Sequence, residues 1–166
     1  MNHPPSSRRQ FVKASSALTA ASLLSVPKLL KGSNNDNLIK VGLVGIGGRG
    51  SGAAAQAMNA DENVALTAIG DLFEDRIDLR TRILKARGRD KYQVTDESTF
   101  VGFDAYKKVI DSGVDVVILT SPPAFRPKHL EYAVEKGVHC FFEKPVAVDA
   151  PGVRKVIDLA KKAKQK

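Results

Sequence analysis

The sequence predicts an α/β protein built on a doubly wound parallel sheet of about five strands, and three observations carry that prediction. Short apolar, β-branched runs alternate with helix-length segments from Leu38 onward. The first run breaks into a glycine cluster that leads directly into an alanine-rich stretch. The second run ends in an acid, Asp71, about 20 residues past the last of those glycines.

Taken in order, Leu38 to Val44 has the composition and length of a strand. Gly45, Gly47 and Gly50 then spell G-x-G-x-x-G, and Ala53 to Ala60 reads as the start of a helix. Asn63 to Gly70 is the second strand. Phe73, Ile77 and Leu84, with Leu79 and Ile83 alongside, predict a helical face from Phe73 to about Arg87. Gly88 to Ser98 is polar and reads as a loop, and Thr99 to Phe103 as a short strand. Asp104 is placed to cap a helix that reaches about Ser112 before Gly113. Val114 to Thr120 is a buried strand stopped by Pro122 and Pro123. Pro127 to Lys136 forms the next helix, with Leu130, Ala133 and Val134 inward and Gly137 ending it. Val138 to Phe142 is the fifth strand, and Asp149 opens a last helix through Val153, Ile157 and Ala160. Right-handed crossovers then predict the strand order 3-2-1-4-5, with a ligand across the carboxyl ends of strands 1 and 4.

Each glycine has a physical task in that strand–turn–helix. Gly45 allows the tight turn, Gly47 lets backbone amides approach a pyrophosphate, and Gly50 lets helix and sheet pack closely. Unpaired N–H groups and the helix dipole favour an anion at that helix start. A glycine cluster alone also marks ordinary tight turns; the strand before it and Asp71 after it select the dinucleotide reading. Asp71 can accept from both adenosine ribose hydroxyls and would repel a 2′-phosphate, which favours NAD over NADP. Arg76 is near enough to offer a phosphate partner, or else it pairs on the helix surface with Glu74 or Asp75. Four segments should meet at the carboxyl edge: the glycine loop, Asp71, Thr120-Ser121-Pro122-Pro123 and Glu143-Lys144-Pro145. From the residues alone, Glu143 and Lys144 are either a solvated ion pair at a strand end or a site in which the lysine donates to a hydroxyl.

The 166 residues suit one domain, and 43% hydrophobic composition supports a core. The net charge of +8 is concentrated at the two ends: Arg8, Arg9 and Lys13 at one, Lys161, Lys162, Lys164 and Lys166 at the other. Between them basic residues nearly balance acidic ones, and no basic stripe interleaves with aromatics, so nucleic acid is not an expected partner. Cys140 is the only cysteine, which excludes an intrachain disulfide and a multi-cysteine metal site; it reads as a buried strand thiol, and no metal is expected. Residues 1–27 read as a signal peptide: Ser7-Arg8-Arg9-Gln10-Phe11-Val12-Lys13, then a small-residue apolar stretch from Ala14 to Val26. The arginine pair resembles a twin-arginine export signal, with a basic amphipathic tail as the alternative. That signal implies a periplasmic or cell-envelope location and contact with the twin-arginine export machinery. Residues 28–37 are a polar linker.

Val41-Gly42-Leu43-Val44-Gly45-Ile46-Gly47-Gly48-Arg49-Gly50, Asp71, the Ser121-Pro122 turn and Glu143-Lys144-Pro145 together resemble the glucose–fructose oxidoreductase and inositol dehydrogenase (Gfo/Idh/MocA) family. The resemblance covers residues 38–166, and its most specific part is the Glu-Lys-Pro triplet. It implies a Rossmann fold binding NAD through Gly45, Ile46, Gly47, Gly48, Arg49, Gly50, Asp71, Ser121, Pro122, Glu143 and Lys144. It further implies that Lys144 lies between nicotinamide and substrate as a catalytic residue, the substrate being a sugar, inositol or related polyol. Pro-Pro-Ala-Phe-Arg-Pro-Lys replaces the compact turn of many members, so the resemblance assigns His129 no role; a helix N-terminal surface residue is as good a reading. The chain stops at Lys166, before the family's sixth strand and its C-terminal domain, which holds the substrate pocket and the acid/base groups. Homo-oligomers would form through that domain. Three functions follow as alternatives: an exported NAD-dependent oxidoreductase represented by its cofactor domain, an NAD-dependent glycosidase of the same family, and a catalytically silent nucleotide-binding fragment. The glycosidase relatives resemble Glu-Val-Pro where this chain has Glu-Lys-Pro.

Overall fold

The computed structural model describes residues 38–164. The expected signal peptide and the linker before Leu38 lie outside the described residues. Five strands form one parallel sheet: β1 (Ile39–Val44), β2 (Val64–Asp71), β3 (Thr99–Val101), β4 (Val116–Leu119) and β5 (His139–Phe142). Their order is β3-β2-β1-β4-β5, the order expected from the sequence. The connections carry helices α1 (Gly48–Ala60), α2 (Glu74–Gly88), α3 (Ala105–Asp111) and α4 (Arg126–Lys136), and α5 (Ala150–Ala163) follows β5. Parallel strands need such crossovers, and these cover both faces of the sheet.

One face packs Leu43, Ile46, Leu66 and Ile69 against Ala54 and Met58 of α1 and Ile77 and Leu84 of α2. The other packs Val44, Val117 and Leu119 against Val109 and Ile110 of α3, Leu130, Ala133 and Val134 of α4, and Val156 and Leu159 of α5. Burying each such aliphatic side chain contributes about 1.5–3 kcal/mol. The sheet is therefore anchored from both sides, which fixes the carboxyl ends of its strands.

Several elements differ in detail from the sequence expectation. Helix α1 begins at Gly48, so the last two motif glycines already lie in or beside its first turn. The polar stretch after α2 contains two short 3-10 turns, Arg89–Lys91 and Asp96–Ser98, and Tyr92 bridges back to Leu66. In α2, Ile77 and Leu84 are buried as expected, but Leu79 is exposed, because two residues along a helix turn the side chain about 200°. In α5 the inward residues are Val156 and Leu159, while Val153 and Ile157 remain partly exposed. The Asp149 carboxylate accepts from Gly152 N at 2.8 Å, an N-cap as expected; Asp104 occupies its cap position without a side-chain capping bond and instead pairs with Lys107. Gly137 closes α4 at φ +73°, a conformation that favours glycine. Strand β5 lies at the edge of the sheet, where Cys140 is half-buried and its thiol pKa is pushed up to about 12 by burial.

Candidate functional site

The glycine loop is shaped by contacts that leave no room for side chains. Gly45 has φ +91°, and a Cβ there would come within 2.6 Å of Ser121 N. A Cβ on Gly50 would meet Gly45 O at 2.0 Å and Thr120 Oγ1 at 2.5 Å, so α1 seats directly on the turn. Thr120 Oγ1 donates to Gly45 O at 2.6 Å, and Ser51 Oγ donates to Gly47 O at 2.9 Å. Gly47 is different: a Cβ there would meet nothing within 4 Å. Its open side adjoins the first turn of α1, whose N–H groups have no carbonyl one turn back. That is the chemistry an anionic pyrophosphate requires.

Asp71 ends β2 only 8% exposed. Its Oδ2 accepts from Ile46 N at 2.8 Å and its Oδ1 from Phe73 N at 3.1 Å. A carboxylate has about four acceptor positions, so each oxygen keeps one for a hydroxyl donor. Asp71 thus both holds the glycine loop and remains able to take two ribose hydroxyls. The Ile46 amide is committed to this bond and its side chain is buried in the core.

Beside Asp71 lies a cavity of about 300 Å³ lined by Gly45, Gly47, Asp71, Phe73, Arg76, Phe103, Tyr106, Ser121, Pro122, Phe125 and His129 among others. Phe73, Phe103, Tyr106, Phe125 and His129 give it aromatic walls alongside the polar groups, as suits a planar base. Arg76 stacks on the Phe73 ring with its guanidinium carbon 5.2 Å from the centroid, rather than pairing with Glu74 or Asp75. His129 is not a surface residue: it is 7% exposed, stacks on Tyr106 at 4.1 Å between centroids, and shares a hydrogen bond from Nδ1 to Ser121 Oγ at 3.1 Å. Burial, reinforced by the nearby Lys128 charge, lowers its pKa to about 4, so the ring is neutral at pH 7.

The second group lies at the end of β5. Arg49, from the first turn of α1, bonds Glu143 through Nε at 2.6 Å and pairs with it again through Nη2. This joins the glycine loop to the β5 turn across the carboxyl edge, and the bond from Arg49 holds the Glu143 carboxyl below the usual range. Arg126, the first residue of α4, is buried and donates to the carbonyls of Ser121, Glu143 and Pro145. Lys144 is exposed, and the peptide that follows it is cis.

All four expected segments therefore meet at one sheet edge. Gly45, Gly47, Asp71, Ser121 and Pro122 share the cavity, whereas Gly48, Arg49, Gly50, Glu143 and Lys144 do not line it. Sequence reasoning passed over Ser51, Tyr106 and Arg126. Only Ser51 carried a signal, a hydroxyl one residue past the last motif glycine. Among the described residues, no group of three or more His, Cys, Asp or Glu is gathered as a metal would require.

With this geometry in view, residues 39–166 match the GFO_IDH_MocA family model, described as an oxidoreductase family with an NAD-binding Rossmann fold. A glycosyl hydrolase family 109 protein of Shewanella pealeana is 26% identical, over 98% of this chain and 33% of its own length. An alpha-N-acetylgalactosaminidase of Shewanella oneidensis is 28% identical, over 95% of this chain and 38% of its own. Among solved structures, an oxidoreductase of Thermotoga maritima superposes with a TM-score of 0.59 at 27% identity, covering 75% of this chain and 35% of that one. A scyllo-inositol dehydrogenase of Lactobacillus casei, solved with NAD(H) and scyllo-inositol, gives 0.62 at 21% identity, covering 77% and 34%, a likeness of fold. The chain thus spans about a third of the length of the proteins it matches.

Proposed function

Because the chain belongs to the Gfo/Idh/MocA oxidoreductase family and carries its NAD-binding Rossmann domain, we propose that it is the cofactor half of an NAD-dependent enzyme acting on a sugar, inositol or related polyol. The observation that carries the proposal is Asp71: a buried carboxylate at the end of β2, bonded to the glycine loop and retaining an acceptor position on each oxygen. NAD, when bound, supplies the hydride acceptor or donor. The residues of this chain bind and orient it. The first turn of α1 receives the pyrophosphate beside the open side of Gly47, and Asp71 receives the adenosine ribose. Phe73, Phe103 and Phe125, which line the cavity, would flank the base. Lys144, exposed just beyond the end of β5, would donate toward the nicotinamide half and a substrate hydroxyl.

Calorimetric titration of NAD and NADP into the protein tests the cofactor reading. NAD should bind more tightly, since the Asp71 carboxylate repels a 2′-phosphate; equal or tighter NADP binding would overturn that preference. The substrate reading is tested by turnover of the full-length gene product on a polyol panel.

A second reading, an NAD-dependent glycosidase, is favoured by the two Shewanella relatives and opposed by Lys144, where that reading expects an apolar residue. Release of aryl alcohol from N-acetylgalactosaminides, without turnover of any polyol, would decide for it. Retained nucleotide with neither activity would leave the silent binding domain. Export through the twin-arginine route is part of the same proposal and rests on Arg8 and Arg9. Replacing both with lysine should hold the protein in the cytoplasm; unchanged export would remove this element.

A further inference from the structure

Arg126 is 6% exposed, a rare position for a guanidinium, and its hydrogen-bond partners are backbone carbonyls. Nε donates to Ser121 O at 2.8 Å, and Nη1 donates to Glu143 O at 2.5 Å and to Pro145 O at 2.6 Å. Ser121 belongs to the turn after β4. Glu143 and Pro145 flank Lys144 in the turn after β5. One planar group therefore grips the backbone on both sides of Lys144 and ties it to the turn that lines the cofactor cavity.

Burying a charge is an inefficient way to stabilise a fold, since well-packed apolar residues often do as well. What the rigid guanidinium fork supplies is fixed geometry between its acceptors. Arg49 secures the same turn from the other side through the Glu143 carboxylate. Lys144 itself stays exposed, with the backbone on either side of it held by that frame.

We propose that Arg126 is a positioning residue that sets Lys144 at the nicotinamide end of the cofactor site by holding the carbonyls of Glu143 and Pro145 against the Ser121 turn. The inference rests on the reading in which Lys144 meets the nicotinamide half. Two of the three Arg126 bonds go to the β5 turn, which does not line the cavity beside Asp71; only the Nε bond reaches the Ser121 turn that does. The effect of Arg126 should therefore fall chiefly on the nicotinamide half.

The test compares two ligands. NAD reaches both halves of the site, whereas ADP lacks the nicotinamide ribose and base. Kd values for both are measured by calorimetry on the wild type, Lys144→Ala, Arg126→Lys and the double variant. Lys144→Ala and Arg126→Lys should each weaken NAD about tenfold, the scale of one hydrogen bond to a charged group, with ADP binding unchanged. The double variant should bind NAD scarcely worse than either single one, because Arg126 acts through Lys144. Equal weakening of NAD and ADP by Arg126→Lys would reduce Arg126 to a structural role and overturn the inference. So would no effect on either ligand, or losses that multiply in the double variant. Lys144→Ala without effect on NAD would overturn the placement of Lys144, and the inference with it, which distinguishes the two failures. Should Arg126→Lys not fold, Arg126→Gln is read in the same way.

Discussion

His129 gives the site a built-in response to acid. Its ring is enclosed by Tyr106 and Phe125 and bonded to Ser121, and its pKa falls from 6.5 to about 4 through burial. Between those values the unfolded chain binds a proton that the folded chain does not. Stability from this group is therefore complete above pH 6.5 and declines as pH falls toward 4, by roughly 3 kcal/mol in all. Urea unfolding from pH 7 to 4 should show this loss in the wild type and a flatter profile in His129→Asn; parallel profiles would refute it. Asp71 makes a second residue-scale prediction. Asp71→Ala removes the acceptors of the Ile46 and Phe73 N–H groups as well as the proposed ribose partner. It should cost about 1–3 kcal/mol in unfolding free energy and a similar amount in NAD binding, measured separately. Asp71→Asn, which keeps one carbonyl oxygen for Ile46 but turns its NH2 toward the Phe73 N–H, should recover only part of the stability. Asp71 was legible in the sequence through its spacing from Gly50. His129 and Arg126 were not, because an Arg-Pro-Lys-His helix start reads as polar and solvent-facing. Their burial is imposed from outside that segment, by Tyr106 and by the β4 and β5 turns.

At the scale of the element, the junction of β1 and α1 separates two kinds of glycine. Gly50→Ala would drive a methyl group into Gly45 O and the Thr120 hydroxyl, so either the helix or the turn must move. The variant should lose about 2 kcal/mol or more of stability, the scale of overpacking in a closed contact. Gly47→Ala meets open space, with φ −61° that alanine adopts freely, so thermal unfolding should barely change. Its methyl group would instead stand on the pyrophosphate side, and NAD affinity should fall while the fold persists. Both variants behaving alike in melting would contradict this division. Periodicity and local composition located every strand and α-helix, though not the two 3-10 turns inside the polar stretch after α2. Periodicity failed for the face of α5, where Val153, Val156, Ile157 and Leu159 form a broad apolar surface. Which part of such a surface turns inward is decided by α4 and the sheet, not by α5.

For the whole molecule, the site and the fold are one object. The sheet order brings the ends of β1, β2, β4 and β5 together, and the ligand edge is stapled by the Arg49–Glu143 pair and the Arg126 bonds. A ligand that binds only this folded edge must raise global stability. NAD at about a hundred times its Kd should add roughly 2.7 kcal/mol, visible as a higher melting temperature that rises with ligand concentration. NADP at the same concentration should raise it less. A melting temperature indifferent to NAD would contradict the proposed role of this edge. The order of strands could be anticipated because crossover handedness leaves few alternatives. The staples could not, because they join residues far apart in the chain and depend on three-dimensional closure.

The double bonding of Asp71 also bears on how such a protein could change its coenzyme over evolutionary time. On the proposed reading, coenzyme preference and loop shape are carried by one carboxylate, so they are not separately heritable traits. A lineage moving toward a phosphorylated dinucleotide cannot simply discard the acid; it must first install another acceptor for the Ile46 amide. Asparagine, which keeps one acceptor oxygen for the loop, is a passable intermediate on that route, whereas glycine and alanine, which keep none, need a compensating change elsewhere in the loop.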